Sequence, residues 1–306
     1  MRLGTVAFEG RERVVAALDE ARMLDLHRAA ELAGADAAHF VDMMAVIYGG
    51  EEALAEARAL IAAADDRAIL REEEVAFRPP LMPVQYRDCL VFEEHLFNCL
   101  KAFGQDDPQL PPVWYDQPIY YKGNRLSFIG HGQDVQWPGY AEHLDLELEM
   151  AVVVGKKGKD ISAETGADYI FGYTILNDVS ARDAQMREMP GQLGPAKGKD
   201  FDTGNILGPW ILTADEVAHP VALDMEVTVN GVRWGGGNSA SMQHDFAAIL
   251  AHISASETLY PGEVIGSGTV GTGCGLETGK RLAPGDEFAL TIEGIGTLKN
   301  RIVRDN

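Results

Sequence analysis

The sequence predicts a β-rich α+β fold with few helices. From about residue 84 onward, short apolar runs recur between glycine- and proline-rich loops, which is typical of strands rather than of long helices. These runs do not alternate with helices in the regular way that a parallel βαβ fold requires. With 306 residues, of which 46% are hydrophobic, the chain is long enough to bury a large core.

The N-terminal region, residues 1–80, is expected to form a small α/β unit ahead of the main domain, residues 81–306. Two apolar runs within residues 1–17 predict a hairpin, and the Ala-, Leu- and Glu-rich run 51–64 predicts a helix. Three prolines in residues 77–83 interrupt regular structure. This interruption is the best predicted boundary between the two units.

The main domain is predicted to contain two helices and several strands. Apolar residues recur at helical spacing in residues 92–103 and 241–256, so both segments are predicted helices. The predicted strands are residues 144–154, 168–178, 209–213, 222–229, 262–266 and 286–293. Strands therefore dominate this domain.

The composition argues against several functions. The chain carries 47 acidic and 26 basic residues, and its net charge of −21 repels the phosphates of nucleic acids. The sequence contains no run of 18 apolar residues, the length needed to cross a membrane. The N-terminus lacks the apolar segment of a signal peptide. We therefore expect a cytoplasmic protein that binds neither nucleic acid nor membrane. The three cysteines show no CxxC spacing, which argues against a disulfide framework or a zinc–cysteine site.

The run LDLELEMAVVVG, residues 144–155, carries three acids at alternate positions: Asp145, Glu147 and Glu149. In a strand, alternate side chains share a face, and the apolar AVVVG that follows is typical of a strand buried on both faces. Buried neighbouring carboxylates repel one another, and a hard cation such as Mg²⁺ relieves that repulsion. Asp178, which ends another apolar run, is a further candidate ligand. The alternatives are a solvated acidic face for the first three and a turn or cap role for Asp178.

The segment GSGTVG, residues 266–271, matches the glycine pattern of dinucleotide-binding loops. In such sites the glycines open a helix, whose N-terminus binds the phosphates. Here more glycine-rich loop follows, so no dinucleotide site is predicted.

Four motifs together resemble the fumarylacetoacetate hydrolase family. In chain order they are LDLELEMAVVVG, GYTILNDVSARDAQ, GPAKGKDFDTGNILGPWI and PGEVIGSGTVGTGCGLE, and the resemblance covers residues 84–305. It implies a mixed β-roll or sandwich fold and a homodimer. It also implies a bound Mg²⁺, Ca²⁺ or Mn²⁺ ion and cleavage of C–C bonds in β-diketo acids.

The resemblance also implies roles for individual residues. The implied metal ligands are Asp88, Glu147, Glu149 and Asp178. The implied catalytic residues are His95, Glu277 and Lys199. The implied substrate-binding residues are Arg182, Gln185 and Thr269. Thr203 occupies a position that can approach the metal, and Glu277 resembles the glutamate that holds the histidine.

Asp88 and His95 are seven residues apart, as in the hydrolase that gives the family its name. Seven residues are nearly two turns of a helix, so both side chains are expected on one helical face, about 10 Å apart along the axis. Taken alone, an inward histidine is more often a core residue than a base. Cys89, Leu90 and Met189 replace aromatic residues of that hydrolase, which favours a different oxo-acid.

The predicted function is a metal-dependent hydrolase that cleaves a C–C bond in a β-diketo or acylpyruvate-type oxo-acid. His95 would activate water, and the metal would polarise the carbonyl. One alternative is a hydratase, isomerase or decarboxylase of a 2-oxo-alkenoate at the same metal site. Another is a metal-binding module without catalysis. The expected partners are a small oxo-acid and a second copy of the chain.

Overall fold

The computed structural model describes residues 1–304, so the last two residues of the predicted main domain lie outside the described part. The strands are β1 (Arg2–Phe8), β2 (Arg11–Ala17), β3 (Arg22–Asp25), β4 (Ile69–Arg71), β5 (Ala76–Phe77), β6 (Tyr86–Cys89), β7 (Tyr120–Lys122), β8 (Phe128–Ile129), β9 (Asp134–Gln136), β10 (Leu144–Asp145), β11 (Leu148–Val154), β12 (Ile170–Asp178), β13 (Ser180–Ala181), β14 (Asn205–Thr213), β15 (Asp224–Val229), β16 (Val232–Asn238), β17 (Val264–Gly266), β18 (Glu287–Ile292) and β19 (Gly296–Val303).

The helices are fewer and mostly short. The α-helices are α1 (Leu26–Ala33), α2 (Met43–Ala62), α3 (Glu93–Ala102), α4 (Pro112–Asp116), α5 (Arg182–Glu188), α6 (Phe246–Ser254) and α7 (Gly275–Thr278). Short 3₁₀ helices cover Ala38–Phe40, Asp66–Ala68, Glu72–Glu74, Gly166–Tyr169, Met189–Gly191, Ala214–Glu216 and Ser239–Ser241. None of the helices within residues 1–304 combines the length and hydropathy that a membrane crossing needs.

Twelve strands form one large mixed sheet. Its order is β4-β3-β2-β1-β14-β12-β11-β17-β6-β7, with β5 paired to β1 and β8 paired to β14. A second sheet has the order β16-β15-β18-β19-β9, and β10 pairs with β13. The candidate active site lies at the neighbouring strands β12, β11, β17 and β6.

Strand β11 is buried along its whole length, as its apolar run predicts. Met150, Val152 and Val154 pack into one hydrophobic cluster, which includes residues of the second sheet. Ala151 and Val153 point the other way, into a cluster formed with the N-terminal helices. Burying a valine side chain stabilises the folded state by roughly 1.5–3 kcal/mol. Burial on both faces therefore stabilises the position of β11 in the sheet.

The N-terminal region joins the large sheet rather than standing apart from it. The predicted hairpin is formed by β1 and β2, and β1 pairs with β14 through Arg2–Leu212 and Leu3–Ile211. Helices α1 and α2 cover one face of the central strands. The sheet therefore continues across the interruption at residues 77–83, and the division at residue 80 stays a prediction.

Three predicted elements differ from the observed ones. The helix predicted over residues 241–256 is observed as α6, Phe246–Ser254, and the Asp245 side chain caps its N-terminus. The strand predicted over residues 144–154 is interrupted between β10 and β11, where the Asp145 carboxylate accepts the backbone N–H of Leu146. In α3, which was predicted to bury an apolar face, His95 is buried while Leu96 and Leu100 are only half-buried. Those leucines line a cavity instead of the core.

Candidate active site

Three buried carboxylates from three strands of the large sheet meet at one point. Asp88 comes from β6, Glu149 from β11 and Asp178 from the end of β12. One oxygen of each lies within 4.8 Å of the other two. We call Asp88, Glu149 and Asp178 the carboxylate group. Its members converge because β12, β11, β17 and β6 are neighbours in the sheet.

Gly266 of β17 makes room for two of these side chains. Strand β17 lies between β11 and β6, and Gly266 pairs with both Asp88 and Ala151. A Cβ atom at Gly266 would lie 2.3 Å from an oxygen of Asp88 and 3.0 Å from an oxygen of Glu149. The N–H of Gly268 donates to the same two oxygens, at 3.2 and 3.1 Å. The first glycines of GSGTVG thus accommodate carboxylates rather than a nucleotide.

The electrostatics of the carboxylate group favour a cation. Burial and the charge of Asp178 raise the pKa of Asp88 to about 8. Burial and neighbouring carboxylates also raise the pKa of Glu149 and of Asp178. Among the described residues, Oδ1 of Asp178 is buried without a hydrogen-bond partner. Oxygens that share a Mg²⁺ ion lie roughly 3–4 Å apart, so a hard divalent cation fits this donor set.

Glu147, also a predicted ligand, lies beside the carboxylate group but is engaged by cations. Its carboxylate accepts a hydrogen bond from Lys199 and forms an ion pair with Nη1 of Arg182 at 2.8 Å. Burial alone would raise the pKa of Glu147, but the charges of Lys199 and Arg182 hold it below its usual value. Lys199 also donates to Oδ2 of Asp178, at 2.6 Å. That Glu147 binds the metal directly stays a prediction.

Asp145, the first acid of the alternating run, holds Arg182. Its Oδ2 accepts from Nε and Nη2 of Arg182 at 3.0 and 2.8 Å, and its Oδ1 accepts the N–H of Gly275 at 2.8 Å. Arg182 also donates through Nη1 to Gln185, at 3.1 Å. Sequence reasoning gave Asp145 no role of its own, because its partners are 37 and 130 residues away.

Tyr121 was not predicted as a site residue. Its hydroxyl donates to Oδ2 of Asp178 at 2.7 Å, and in the β6–β7 pair it lies opposite Asp88. Only the strand register reveals this position, since the run around Tyr121 has no distinctive motif.

His95 and Glu277 form a buried pair on the other side of the site. Nδ1 of His95 lies 3.1 Å from Oε2 of Glu277, whose other oxygen accepts the N–H of Thr272 at 2.8 Å. Burial alone would lower the pKa of His95, but hydrogen bonds to Cys274 and Glu277 raise it to about 10. Glu277 therefore orients the ring and favours its protonated form.

The helical argument for Asp88 and His95 was wrong. Asp88 lies in strand β6, and His95 lies in helix α3, which begins at Glu93. The two therefore do not share a helical face, and the turn between strand and helix brings both to one cavity. Two residues seven positions apart reach the same cavity here through this strand-to-helix turn, and not through two turns of one helix.

A cavity of about 360 Å³ gathers most of the predicted residues. The predicted residues that line it are Asp88, His95, Glu147, Glu149, Arg182, Gln185, Lys199 and Thr269. Asp178 and Glu277 contact these residues from behind. Another part of the wall is apolar, with Leu96, Leu100, Phe103, Met186, Met189 and Leu276.

Thr269 and Thr203 differ in their position relative to the cavity. Thr269 lies 3.4 Å from the Glu149 carboxylate through its hydroxyl, so it contacts a candidate ligand as well as the cavity. Thr203 does not line the cavity, and its hydroxyl accepts the backbone N–H of Gln136 at 2.9 Å. The hydroxyl of Thr203 therefore contacts the end of strand β9 rather than the cavity.

Comparisons with known proteins agree with this arrangement. The sequence model of the family described as "Fumarylacetoacetate (FAA) hydrolase C-terminal" matches residues 86–303. Human mitochondrial oxaloacetate tautomerase FAHD2A is 35% identical over 255 residues, which are 83% of this chain and 77% of that protein. A Burkholderia cenocepacia protein named only as a hydrolase is 37% identical over 182 residues, 59% of this chain and 64% of its own length. The chain thus spans just under two thirds of that relative.

Solved structures show the same fold. Fumarylacetoacetate hydrolase from Exiguobacterium antarcticum has a TM-score of 0.78 and 24% identity over the full length of both chains. Fumarylpyruvate hydrolase from Pseudomonas aeruginosa, solved with Mn²⁺ and pyruvate, has a TM-score of 0.63 and 22% identity over 75% of this chain and 92% of that one. The predicted β-rich α+β fold is thereby confirmed. Since the family match also contains every predicted site residue, this chain belongs to the fumarylacetoacetate hydrolase family.

Proposed function

We propose that this protein is a divalent-cation-dependent hydrolase that cleaves a C–C bond in an acylpyruvate-type 2,4-dioxo acid. The observation that carries the proposal is the shared cavity, which is lined both by members of the carboxylate group and by His95. Hydrolysis of such a bond needs a group that polarises the carbonyl and a base that activates water. The two halves of the site are suited to these two tasks.

The carboxylate group is the proposed cation site, with Glu147 beside it as a further ligand. Mg²⁺ is the first candidate, with Ca²⁺ or Mn²⁺ as alternatives, because carboxylate oxygens suit hard cations. A bound ion supplies Lewis acidity towards the adjacent oxygens of a 2-oxo acid. Lys199 keeps Glu147 ionised and holds Asp178 in place.

His95 is the proposed base. Glu277 holds Nδ1, which leaves Nε2 to take a proton from water as the water attacks the acyl carbonyl. The bond between the acyl carbon and C3 then breaks, and pyruvate leaves as its enolate. The ammonium of Lys199 is proposed to stabilise that negative charge. Because the pKa of His95 is about 10, the rate should rise with pH up to that value.

The wall of the cavity suggests which acyl groups suit the site. Three cationic side chains line it, Arg182, Lys199 and protonated His95, and each is engaged with buried carboxylates. Three of the five N–H donors of Arg182 are used in hydrogen bonds to Asp145 and Gln185, and Nη1 also forms an ion pair with Glu147, so at most two donors remain for a substrate carboxylate. The apolar part of the wall offers no charged partner for a second carboxylate. We therefore propose acylpyruvates with an apolar acyl group rather than dicarboxylic substrates.

The test is turnover of an alkyl acylpyruvate and of a dicarboxylic analogue, each with Mg²⁺ and with a chelator. The expected result is Mg²⁺-dependent formation of pyruvate and the fatty acid in equal amounts, faster for the alkyl substrate. Loss of the substrate without any pyruvate would contradict hydrolysis. Equal rates for both substrates would contradict the proposed preference.

A tautomerase or isomerase of a 2-oxo acid is the second candidate. The raised pKa of His95 keeps its proton at neutral pH, which suits donation to an enol carbon. The human relative that aligns with 83% of this chain is a tautomerase. In this case the enol form of oxaloacetate should convert to its keto form without C–C cleavage, and the rate should fall above the His95 pKa.

We also propose a homodimer, following the family assignment. Two-fold dimers are the commonest oligomers of soluble proteins. Light scattering at micromolar concentration should give twice the chain mass of 33.2 kDa. A mass of one chain would contradict this proposal.

A further inference from the structure

A second cluster of ligand-type side chains lies on the helical side of the cavity. It consists of His95 and Cys99 from α3 and Cys274 immediately before α7. One ligand atom of each lies within 4.8 Å of the other two. Sγ of Cys99 is 3.7 Å from Nε2 of His95 and 3.8 Å from Nδ1. We call these three residues the Cys₂His cluster.

The distances in the Cys₂His cluster are compatible with a single bound metal ion. Zinc lies about 2.3 Å from sulfur and about 2.0–2.1 Å from nitrogen, so a sulfur and a nitrogen on one zinc ion are roughly 3.6 Å apart. The distance between Cys99 and His95 is close to that value. Little movement is therefore needed for both to bind one ion.

The surroundings of His95 also suit metal binding. Oε2 of Glu277 lies 3.1 Å from Nδ1, while Sγ of Cys99 lies 3.8 Å from Nδ1 and 3.7 Å from Nε2. A carboxylate on the far nitrogen is the usual support of a zinc-binding histidine. Two cysteines and one histidine leave the fourth position of a zinc ion open, as in catalytic rather than structural sites. Since His95 and Cys99 line the cavity, water or a substrate oxygen can reach that position.

We propose that His95, Cys99 and Cys274 form a site for Zn²⁺ or another thiophilic divalent ion, and that filling this site stops His95 from transferring protons. Sulfur and imidazole ligands select soft or borderline ions, whereas the carboxylate group offers only oxygen. The Cys₂His cluster should therefore select thiophilic ions such as Zn²⁺, and the carboxylate group should select hard ions such as Mg²⁺. Zinc would inhibit the enzyme while Mg²⁺ still occupied the carboxylate group.

Zinc binding must release the thiol protons, since thiolates are the ligands. Burial and the hydrogen bond from Cys99 raise the pKa of Cys274, so this release is costly at low pH. The affinity of the Cys₂His cluster for zinc should consequently rise with pH. The sequence argued against such a site because Cys99 and Cys274 are 175 positions apart and lack the short spacings of zinc motifs.

The binding test uses Co²⁺ added to the full-length, metal-free, reduced protein in the presence of excess Mg²⁺. A thiolate-to-cobalt charge-transfer band should appear and saturate at one ion per chain. Cys99→Ser should weaken this binding at least roughly ten-fold, while Cys89→Ser, which alters the cysteine outside the cluster, should leave it unchanged. Absence of the band, or an equal band in Cys99→Ser, would overturn the proposed site.

The activity test measures inhibition by Zn²⁺ at saturating Mg²⁺. Cys99→Ser should need at least roughly ten-fold more Zn²⁺ for half inhibition, with each protein measured relative to its own activity without Zn²⁺. Equal sensitivity of parent and variant would overturn the inhibitory role even if cobalt binds. The binding test does not require turnover, so it stands if the proposed hydrolase function fails. Matching melting temperatures would show that the variant is folded.

Discussion

The two halves of the cavity are built in different ways. Hydrogen-bonded strands hold the carboxylate group, and all of β11 and β12 are buried. By contrast, His95 comes from the ten-residue helix α3, whose other residues are half-buried or exposed, and Glu277 comes from a helix of four residues. The strand register fixes the first half, whereas side-chain hydrogen bonds fix the second. We call the half with the carboxylate group the cation half and the half with His95 and Glu277 the proton-transfer half. We expect substitutions in the cation half to abolish its function and substitutions in the proton-transfer half to reduce function by degrees.

The largest effect is expected for Gly266→Ala. The added methyl group would overlap an oxygen of Asp88 and crowd one of Glu149, so these carboxylates could not stay together. We expect loss of measurable Mg²⁺ binding by calorimetry and a decrease in stability of about 1–3 kcal/mol.

Gly139→Ala is the matched control, because a Cβ there meets no atom within 4 Å. It should bind Mg²⁺ like the parent. Normal binding in Gly266→Ala would show that the strand-built half is more adaptable than its register implies.

His95→Asn should separate the two halves. The variant should lose roughly 10²–10⁴ in kcat, which is the usual share of a general acid or base. Mg²⁺ affinity should be retained, because His95 is not part of the carboxylate group. If His95 were only a core residue, the melting temperature would fall while kcat per folded molecule stayed nearly intact.

Glu277→Gln should have a smaller effect and a diagnostic pH dependence. The Glu277 carboxylate raises the pKa of His95, so its neutral replacement should lower that pKa. For a base-limited hydrolase, the rise of kcat with pH should then move to lower pH. An unchanged pH profile would remove Glu277 from the proton-transfer half, whatever its effect on stability.

Tyr121→Phe should have the smallest effect. It removes one hydrogen bond to the Asp178 carboxylate, which contributes about 1.5–3 kcal/mol when the acceptor is charged. Chemical denaturation should show a loss of stability no larger than this, and kcat should change little. A loss of kcat comparable to that of His95→Asn would place Tyr121 in the chemistry.

The parts that could be predicted from the sequence are those with a local pattern. The alternation of Asp145, Glu147 and Glu149 before an apolar run indicated buried carboxylates, and the observed burial of all three agrees with it. The run could not show that Asp145 holds Arg182, because that depends on partners distant in the chain. The same limit applies to Tyr121, to Cys274 beside His95, and to the turn that brings Asp88 and His95 together. Their positions follow from strand order and helix docking, which spacing does not encode.

The pairing of β1 with β14 has a consequence for how the chain can be divided. Within the described residues, the Ile211–Leu212 segment of β14 has β1 as its partner on that side, and helices α1 and α2 cover Ala151 and Val153. A fragment that starts at residue 81 would expose an unpaired strand edge next to an uncovered apolar face. Exposed edges of this kind recruit other strands, so such a fragment should self-associate in solution. The N-terminal region is therefore expected to prevent aggregation by covering this edge and this apolar face.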